Sequence, residues 1–442
     1  MISPLFSRLT LLATLTLGLA GCGMSQPAQA EATQLKAPRA VVWKDFLGVN
    51  AHFLWFSPEQ YRQQMRRFHD LGLEWTRIDL HWDRHEEKEG QYRLGELDQM
   101  VSDLKAQQLK SVLYLVGSAP HATSAPPGSP TPDQYPPKDP QLFAKTMAML
   151  AQRYPSVDAW QVWNEPNLPS FWRPHEDAEG YGRLLQVTTQ ALRQVAPDKP
   201  VVMGGMAYYS QMPVKGGLML ESLGKLGVQQ LGTIVAYHPY SQEPETDEPG
   251  ARDFVLRSQQ LNATLRSVQV PAIWATEWGW SSYNGPKELQ EIIGDQGQAD
   301  YVLRRLALMS ALDYDKVFLF ALSDLDRRAS ARDQHYGLLD LQGKPKPVYL
   351  ALQRFLKLTG PRLEPADAPA LESVPDDLFS VAWRREDGKH VWLFWSASAA
   401  QLHLPNLTGA ELHDPLSGGQ ASLSDAGGVR VKAKPSLQML VW

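Results

Sequence analysis

The chain has 442 residues, 43 Lys+Arg against 48 Asp+Glu, a formal net charge of -5, 14 Trp and one Cys. That length buries a large core and allows two or three domains, and an apolar content of 43% excludes disorder over most of the chain. The scattered, mildly acidic charge excludes nucleic acid as the main partner, and a lone Cys22 excludes an internal disulfide framework or a Cys-rich metal site.

Residues 9–20 form an apolar run of 12 residues with Arg8 as the only positive side chain before it. The run is too short to span a bilayer and reads as the core of a secretory signal. It ends in Leu19-Ala20-Gly21-Cys22, which resembles the lipobox of bacterial lipoproteins. The resemblance implies removal of residues 1–21, lipidation of Cys22, and a small, polar tether over 22–40. An ordinary signal peptide with a chance cysteine is the alternative.

From residue 45 to about 358, short apolar runs alternate with amphipathic helical patterns. The predicted strands are 46–53, 75–82, 111–117, 159–165, 201–207, 233–240, 272–278 and 316–323, repeating every 39 residues or so. Eight such units predict an α/β fold, a closed parallel (β/α)8 barrel over 41–359. Helix starts support the rhythm. Ser57-Pro58-Glu59-Gln60 carries a capping box, Tyr61, Met65 and Phe68 follow on one face, and Gly72 ends the pattern. Asp139-Pro140 and Pro347 open two further helices. Eight prolines in 118–140 mark a long loop after the third strand, expected to wall the cleft.

After residue 360 the pattern changes to period 2. Runs at 379–385 and 389–396 flank Glu386-Asp387-Gly388, a hairpin signal, and further strands are predicted at 401–404, 411–413, 429–433 and 438–442. Residues 360–442 therefore read as a small antiparallel β-sandwich, stabilising rather than chemical.

Chemistry in a parallel barrel sits at the carboxyl ends of the strands. The fourth strand ends in Trp163-Asn164-Glu165-Pro166 and the seventh in Thr276-Glu277-Trp278. A carboxylate ending an apolar strand is costly unless it is used or paired. Two such carboxylates across one mouth are the equipment of glycoside hydrolysis, in which one must stay protonated and the other ionised. Structural salt bridges to Arg are the bland alternative. Arg77, Asp79 and His81 on the second strand share the inward parity, and His238 and Tyr240 share a face at the end of the sixth.

Asn164-Glu165-Pro166 on strand four, with Glu277 ending strand seven, resembles the glycoside hydrolases of clan A. With Trp163 and the trailing β domain, the chain is similar to family 39. The resemblance implies that Glu165 is the general acid/base, that Glu277 is the nucleophile and that Asn164 binds the sugar 2-hydroxyl. It also implies an Arg77 that keeps the nucleophile ionised, a His238 or Tyr240 bonded to Glu277, and carboxyl groups about 5–5.5 Å apart in a retaining enzyme. Asp79 is expected to pair with Arg77. Trp82, Trp163, Trp278, Trp280 and Tyr283 are expected to form an aromatic rim for sugar rings. Strand eight lacks the tryptophan common in the clan, reading Leu322-Ser323-Asp324-Leu325-Asp326. His81 and His85 have metal-like spacing but fall on a strand end and a loop, so neither a metal nor a cofactor is expected.

Together, the lipobox-like motif and the family resemblance imply an envelope-bound, periplasm-facing retaining endo-glycosidase acting on a bacterial exopolysaccharide of the biofilm matrix. Its expected partners are that polysaccharide, the membrane through Cys22, and the exopolysaccharide biosynthesis and export machinery. An exo-acting xylosidase- or iduronidase-like enzyme and a non-catalytic polysaccharide-binding scaffold are the alternatives.

Overall fold

A computed structural model describes residues 32–207, 218–246, 252–286 and 292–442. Cys22, the signal segment and most of the tether lie outside the described residues. Eight parallel strands carry the fold: β1 (Leu47–Asn50), β2 (Trp75–His81), β3 (Lys110–Val116), β4 (Ala159–Val162), β5 (Val201–Met203), β6 (Val235–Tyr237), β7 (Ile273–Trp278) and β8 (Lys316–Leu319). They pair in the order β6-β7-β8-β1-β2-β3-β4-β5. Parallel bridges Val202–Ile234 and Met206–Tyr237 join β5 to β6 and bring the barrel nearly to closure.

A helix follows each strand: α1 (Pro58–His69), α2 (Gly95–Ala106), α3 (Pro140–Arg153), α4 (Ala178–Val195), α5 (Met219–Lys225), α6 (Asp253–Ser267), α7 (Gly294–Ser310) and α8 (Pro347–Thr359). The start of α1 shows why. The Ser57 hydroxyl accepts from Gln60 N, and the Gln60 side chain accepts from Ser57 N at 3.1 Å, so two orphan amides are satisfied reciprocally. Tyr61, Met65 and Phe68 of α1 are buried, and Gly72 beyond its end takes a left-handed φ of 72°.

Both faces of the barrel sheet are covered, so its strands read as apolar runs. On β2, Ile78 and Leu80 are fully buried toward the helices, each contributing about 1.5–3 kcal/mol. Lys316 stands at the opposite end of the barrel from the site. It lies 4.1 Å from the Trp75 ring and donates to the carbonyl of Asp45.

Residues 360–442 form antiparallel sheets: β9 (Arg362–Pro365), β10 (Leu378–Arg385), β11 (His390–Ser396), β12 (Gln401–Leu404), β13 (Gly409–Asp414), β14 (Gly419–Ser424), β15 (Val429–Lys432) and β16 (Gln438–Val441). β12 and β15 pair as a two-stranded sheet, and Leu402, Leu404, Val429 and Val431 pack on Trp392, Phe394 and Leu440 of the larger one. The opposite face, with Val381, Trp383, Leu393 and Trp395, joins the barrel core. Thr33–Leu35, read as tether, instead adds a parallel strand to β10, and Val41–Val42 pairs with β9. Three residues are too short for a periodic signal, and their partners are more than 300 positions away.

The two units meet at a buried carboxylate. Glu245, on the loop after β6, accepts from Trp395 Nε1 of β11 at 2.9 Å and from Arg304 of α7 at 2.9 and 3.0 Å. Burial pushes the Glu245 carboxyl up, against the pull of Arg304 and Arg305.

Candidate active site

Arg77 organises the floor of the barrel mouth. Its guanidinium donates to Gln161 at 2.8 Å and to Asn50, Glu277 Oε1 and Asn164 Oδ1 at 2.7 Å each. It also lies 3.9 Å from the Tyr114 ring. The contact to Asn164 fixes that amide with its NH2 as the remaining donor.

The second carboxylate is placed by an irregular backbone. β4 ends at Val162, and Trp163 and Glu165 then take left-handed φ values of 71° and 40°. For non-glycine residues such conformations cost about 1–3 kcal/mol each and cluster at functional sites. Here Glu165 N bonds Gly205 O at 3.1 Å, and Trp163 Nε1 bonds Phe171 O at 3.1 Å. The register of β7 shifts between Ala275 and Trp278, so both Thr276 and Glu277 reach His238.

His238 stands between the carboxylates. Its Nδ1 is 2.8 Å from Glu165 Oε1 and 3.6 Å from Glu277 Oε2, and its Nε2 is 3.0 Å from the Thr276 hydroxyl. The ring thus hydrogen-bonds Glu165 and Thr276 directly and lies beside Glu277 at a longer, electrostatic distance. Tyr240 donates to Glu277 Oε2 at 3.3 Å. A carboxylate oxygen of each Glu and a ring nitrogen of His238 lie within 4.8 Å of one another.

This arrangement drives the two acids apart. Burial pushes Glu165 up, and His238 pulls it back only in part, so its pKa is raised. Burial pushes Glu277 up too, but His238 and Arg77 outweigh it, and its pKa is lowered. Two nearby carboxyls, one favouring the proton and one refusing it, can donate and attack across a single acetal bond. Among the described residues, Glu165, His238 and Glu277 are the only cluster of three metal-capable side chains, and the Arg77 cation 2.7 Å from Glu277 opposes a metal there.

The sequence placed Arg77, Asn164, Glu165, His238, Tyr240 and Glu277 here, and the structure gathers them. Three expectations change. Asp79 pairs with His52 at 2.9 Å and His81 at 3.3 Å, not with Arg77, whose donors are already engaged. Burial raises Asp79 and lowers His52, but their mutual attraction wins, leaving Asp79 well below and His52 above their ordinary values.

The aromatic rim is mostly absent. Trp82, Trp163, Trp278 and Trp280 are at most 2% exposed. Trp82 donates to buried Glu86 at 2.6 Å, and Trp280 to the carbonyls of Ser241 and Gln242 at 3.0 Å. Only Tyr283 stays half-buried, with its ring 6.0 Å from His335. Finally, β8 ends at Leu319 rather than 323, and Phe320 follows, half-buried, between the rings of His52 and Tyr336. An aromatic side chain therefore does stand at that exit.

Sequence reasoning missed His52, Phe320 and Gly205. The first two lie just past strand ends and were open to the rule that found Glu165. Gly205 gave no signal, because its role is close approach. A Cβ there would sit 2.0 Å from His238 Nε2 and 2.6 Å from Thr276 Oγ1.

Comparison with known proteins bears on the family and the fold. Residues 35–312 match the family model described as Cellulase (glycosyl hydrolase family 5). A β-xylosidase of Caldicellulosiruptor saccharolyticus is 24% identical over 238 residues, 51% of this chain and 47% of that protein. A β-xylosidase of Geobacillus stearothermophilus is 23% identical over 285 residues, 59% of this chain and 53% of that protein. The chain thus spans about half the length of the curated relatives it matches. A family 39 glycoside hydrolase from Bacteroides cellulosilyticus WH2 superposes with a TM-score of 0.70 at 21% identity, over 92% of this chain and 82% of that one. With that family model matching more than half of its length, the chain belongs to the family that the model describes, Cellulase (glycosyl hydrolase family 5).

Proposed function

We propose that the protein is a retaining glycosidase in which Glu277 attacks the sugar carbon, Glu165 protonates the leaving oxygen, and Glu165 then deprotonates the water that releases the sugar. The observation that carries this reading is the pair itself: two carboxyls within 4.8 Å, displaced in opposite senses, with Arg77 bonded to one and His238 to the other. That closeness suits direct attack and leaves little room for a water between acid and base. Asn164, held by Arg77, presents its NH2 to the substrate 2-hydroxyl. The test is a 2-deoxy-2-fluoro glycoside with an activated leaving group. Mass spectrometry should find the sugar on the peptide carrying Glu277, and label on another residue or none at all overturns the assignment.

The substrate we propose is a bacterial exopolysaccharide, processed at the cell envelope with Cys22 as the lipid anchor and the export machinery as neighbour. The lipobox-like Leu19-Ala20-Gly21-Cys22 supports the anchor. Labelling cells with an alkyne fatty acid should mark the wild type and not Cys22→Ala; equal labelling refutes it. The relatives' name, β-xylosidase, favours the competing exo reading, and the buried tryptophans withdraw the ground on which the sequence argued for internal cleavage.

A further inference from the structure

The loop after β6 has no helix or strand over residues 239–245, so its carbonyls need donors from elsewhere in the fold. Two buried side chains supply them. Arg305 of α7 donates from Nη1 to Pro239 O at 2.6 Å and from Nε to Pro244 O at 2.8 Å, while Nη2 reaches Glu243 O at 3.2 Å and the Ser241 hydroxyl. Trp280, just past Glu277 on the chain leaving β7, donates from Nε1 to the carbonyls of Ser241 and Gln242 at 3.0 Å each. The two donors also pack on one another, with the Arg305 guanidinium 4.9 Å from the Trp280 ring and 3.5 Å from that of Phe254.

Tyr240 sits inside this set of bonds. Pro239 before it and Ser241 after it are both tied, and Tyr240 N closes a tight turn on His238 O at 2.9 Å. With the backbone fixed on either side, the phenol is aimed at Glu277 and donates to Oε2 at 3.3 Å. Arg77 holds the other oxygen of the same carboxylate at 2.7 Å. Burial first, and then the Glu277 charge, push the Tyr240 phenol well above its ordinary value, so it stays a donor. A bond of 3.3 Å has little slack, and a shift of about 1 Å in the loop breaks it.

Arg305 is 0% exposed, and a buried guanidinium is costly unless its donors are used. Its planar fork, with donors in fixed directions, can hold several carbonyls in one arrangement, which the single point of a lysine ammonium cannot. Stability of the loop alone is the plainer account. Against it stands where the bonds fall. They bracket Tyr240 and, through Trp280, join it to the exit of the strand that carries Glu277, so both partners of the Tyr240–Glu277 contact are referred to one cluster. Trp280 finds here the role that its burial denies it as a sugar platform.

We propose that Arg305 and Trp280 are positioning residues, a clamp that aims Tyr240 at Glu277, so that an arginine on α7 governs the rate of attack. The proposal rests on the reading of Glu277 as nucleophile given above.

The test is a double-mutant cycle on Arg305→Lys, Trp280→Phe and Tyr240→Phe, with each of the first two also combined with the third and thermal unfolding checked for all. The probes are 4-nitrophenyl β-D-xyloside, β-D-glucoside, β-D-mannoside and β-D-galactoside, and the sugar that the wild type cleaves fastest is carried forward. Inactivation by the matching 2,4-dinitrophenyl 2-deoxy-2-fluoro glycoside reads the attack by Glu277 on its own. Each single variant should lose about tenfold in kcat and in inactivation rate, with KM changed less. Each double variant should stay within about threefold of Tyr240→Phe, instead of the roughly hundredfold loss of independent effects. Losses that multiply, or a wild-type kcat in either clamp variant, overturn the clamp. Should Arg305→Lys be unfolded at the assay temperature, the Trp280→Phe arm decides by the same criterion. A wild type that cleaves no probe and takes up no fluorosugar counts against the glycosidase reading, whereas an active wild type with multiplying losses counts against the clamp alone.

Discussion

Arg77 Nη1 lies 2.7 Å from Glu277 Oε1, and the same guanidinium holds Asn164 at 2.7 Å. One side chain thus touches both the proposed nucleophile and the amide proposed to meet the substrate. Arg77→Met should lower kcat/KM by about 100-fold or more and move the acid limb of the pH–rate profile upward, because Glu277 loses a cation that pulls it down. Breaking this buried ion pair should also cost about 3–5 kcal/mol in chemical denaturation. An unmoved acid limb contradicts the role.

The proposed mechanism needs Glu277 ionised and Glu165 protonated. With Glu277 lowered and Glu165 raised, kcat/KM should follow a bell whose acid limb is the nucleophile and whose basic limb is the acid. Glu165→Gln should erase the basic limb and cut turnover of unactivated sugars by roughly 10²–10⁴. A basic limb that persists in this variant identifies another acid.

Gly205→Ala puts a methyl where His238 Nε2 now stands, at 2.0 Å. The ring must move, and with it the contacts to Glu165 and Thr276. Turnover should drop by at least about tenfold, with KM affected less than kcat. Wild-type kinetics in Gly205→Ala would mean that His238 has room the structure does not show.

Far from the site, burial lowers the Lys316 ammonium from 10.5 to about 7. Below that value both folded and unfolded chains carry the proton, and the full desolvation cost applies. Between about 7 and 10.5 the unfolded chain binds the extra proton, so this residue makes stability rise with pH. The Trp75 face at 4.1 Å offsets part of the cost. Lys316→Met should stabilise by about 2 kcal/mol at pH 6, and the gain should fade toward pH 10 in urea titrations. A gain independent of pH rules out the ionic explanation.

The barrel could be read from the sequence because strands buried on both faces leave uninterrupted apolar runs, and Arg77 could be found because parity holds along a straight strand like β2. Parity fails where the strand does. The shift in β7 turns Glu277 inward and leaves Trp278 buried away from the mouth, and β8 stops at Leu319, before the expected 323. Aromatic count alone cannot separate a sugar platform from packing: four tryptophans near the catalytic motifs are core. The clash that reserves Gly205 and the pairing of Thr33 with Phe379 arise from distant partners, and no window along the chain contains both members.

Trp395 of the small sheet reaches across to Glu245, and Glu245 sits on the loop that carries Tyr240, the residue bonded to Glu277. Arg305, the neighbour of Arg304 on α7, ties the same loop at the carbonyls of Pro239, Pro244 and Glu243. Removing the chain after residue 360 would take away the indole partner of Glu245 and leave the α7 arginines to hold that carboxylate and its loop.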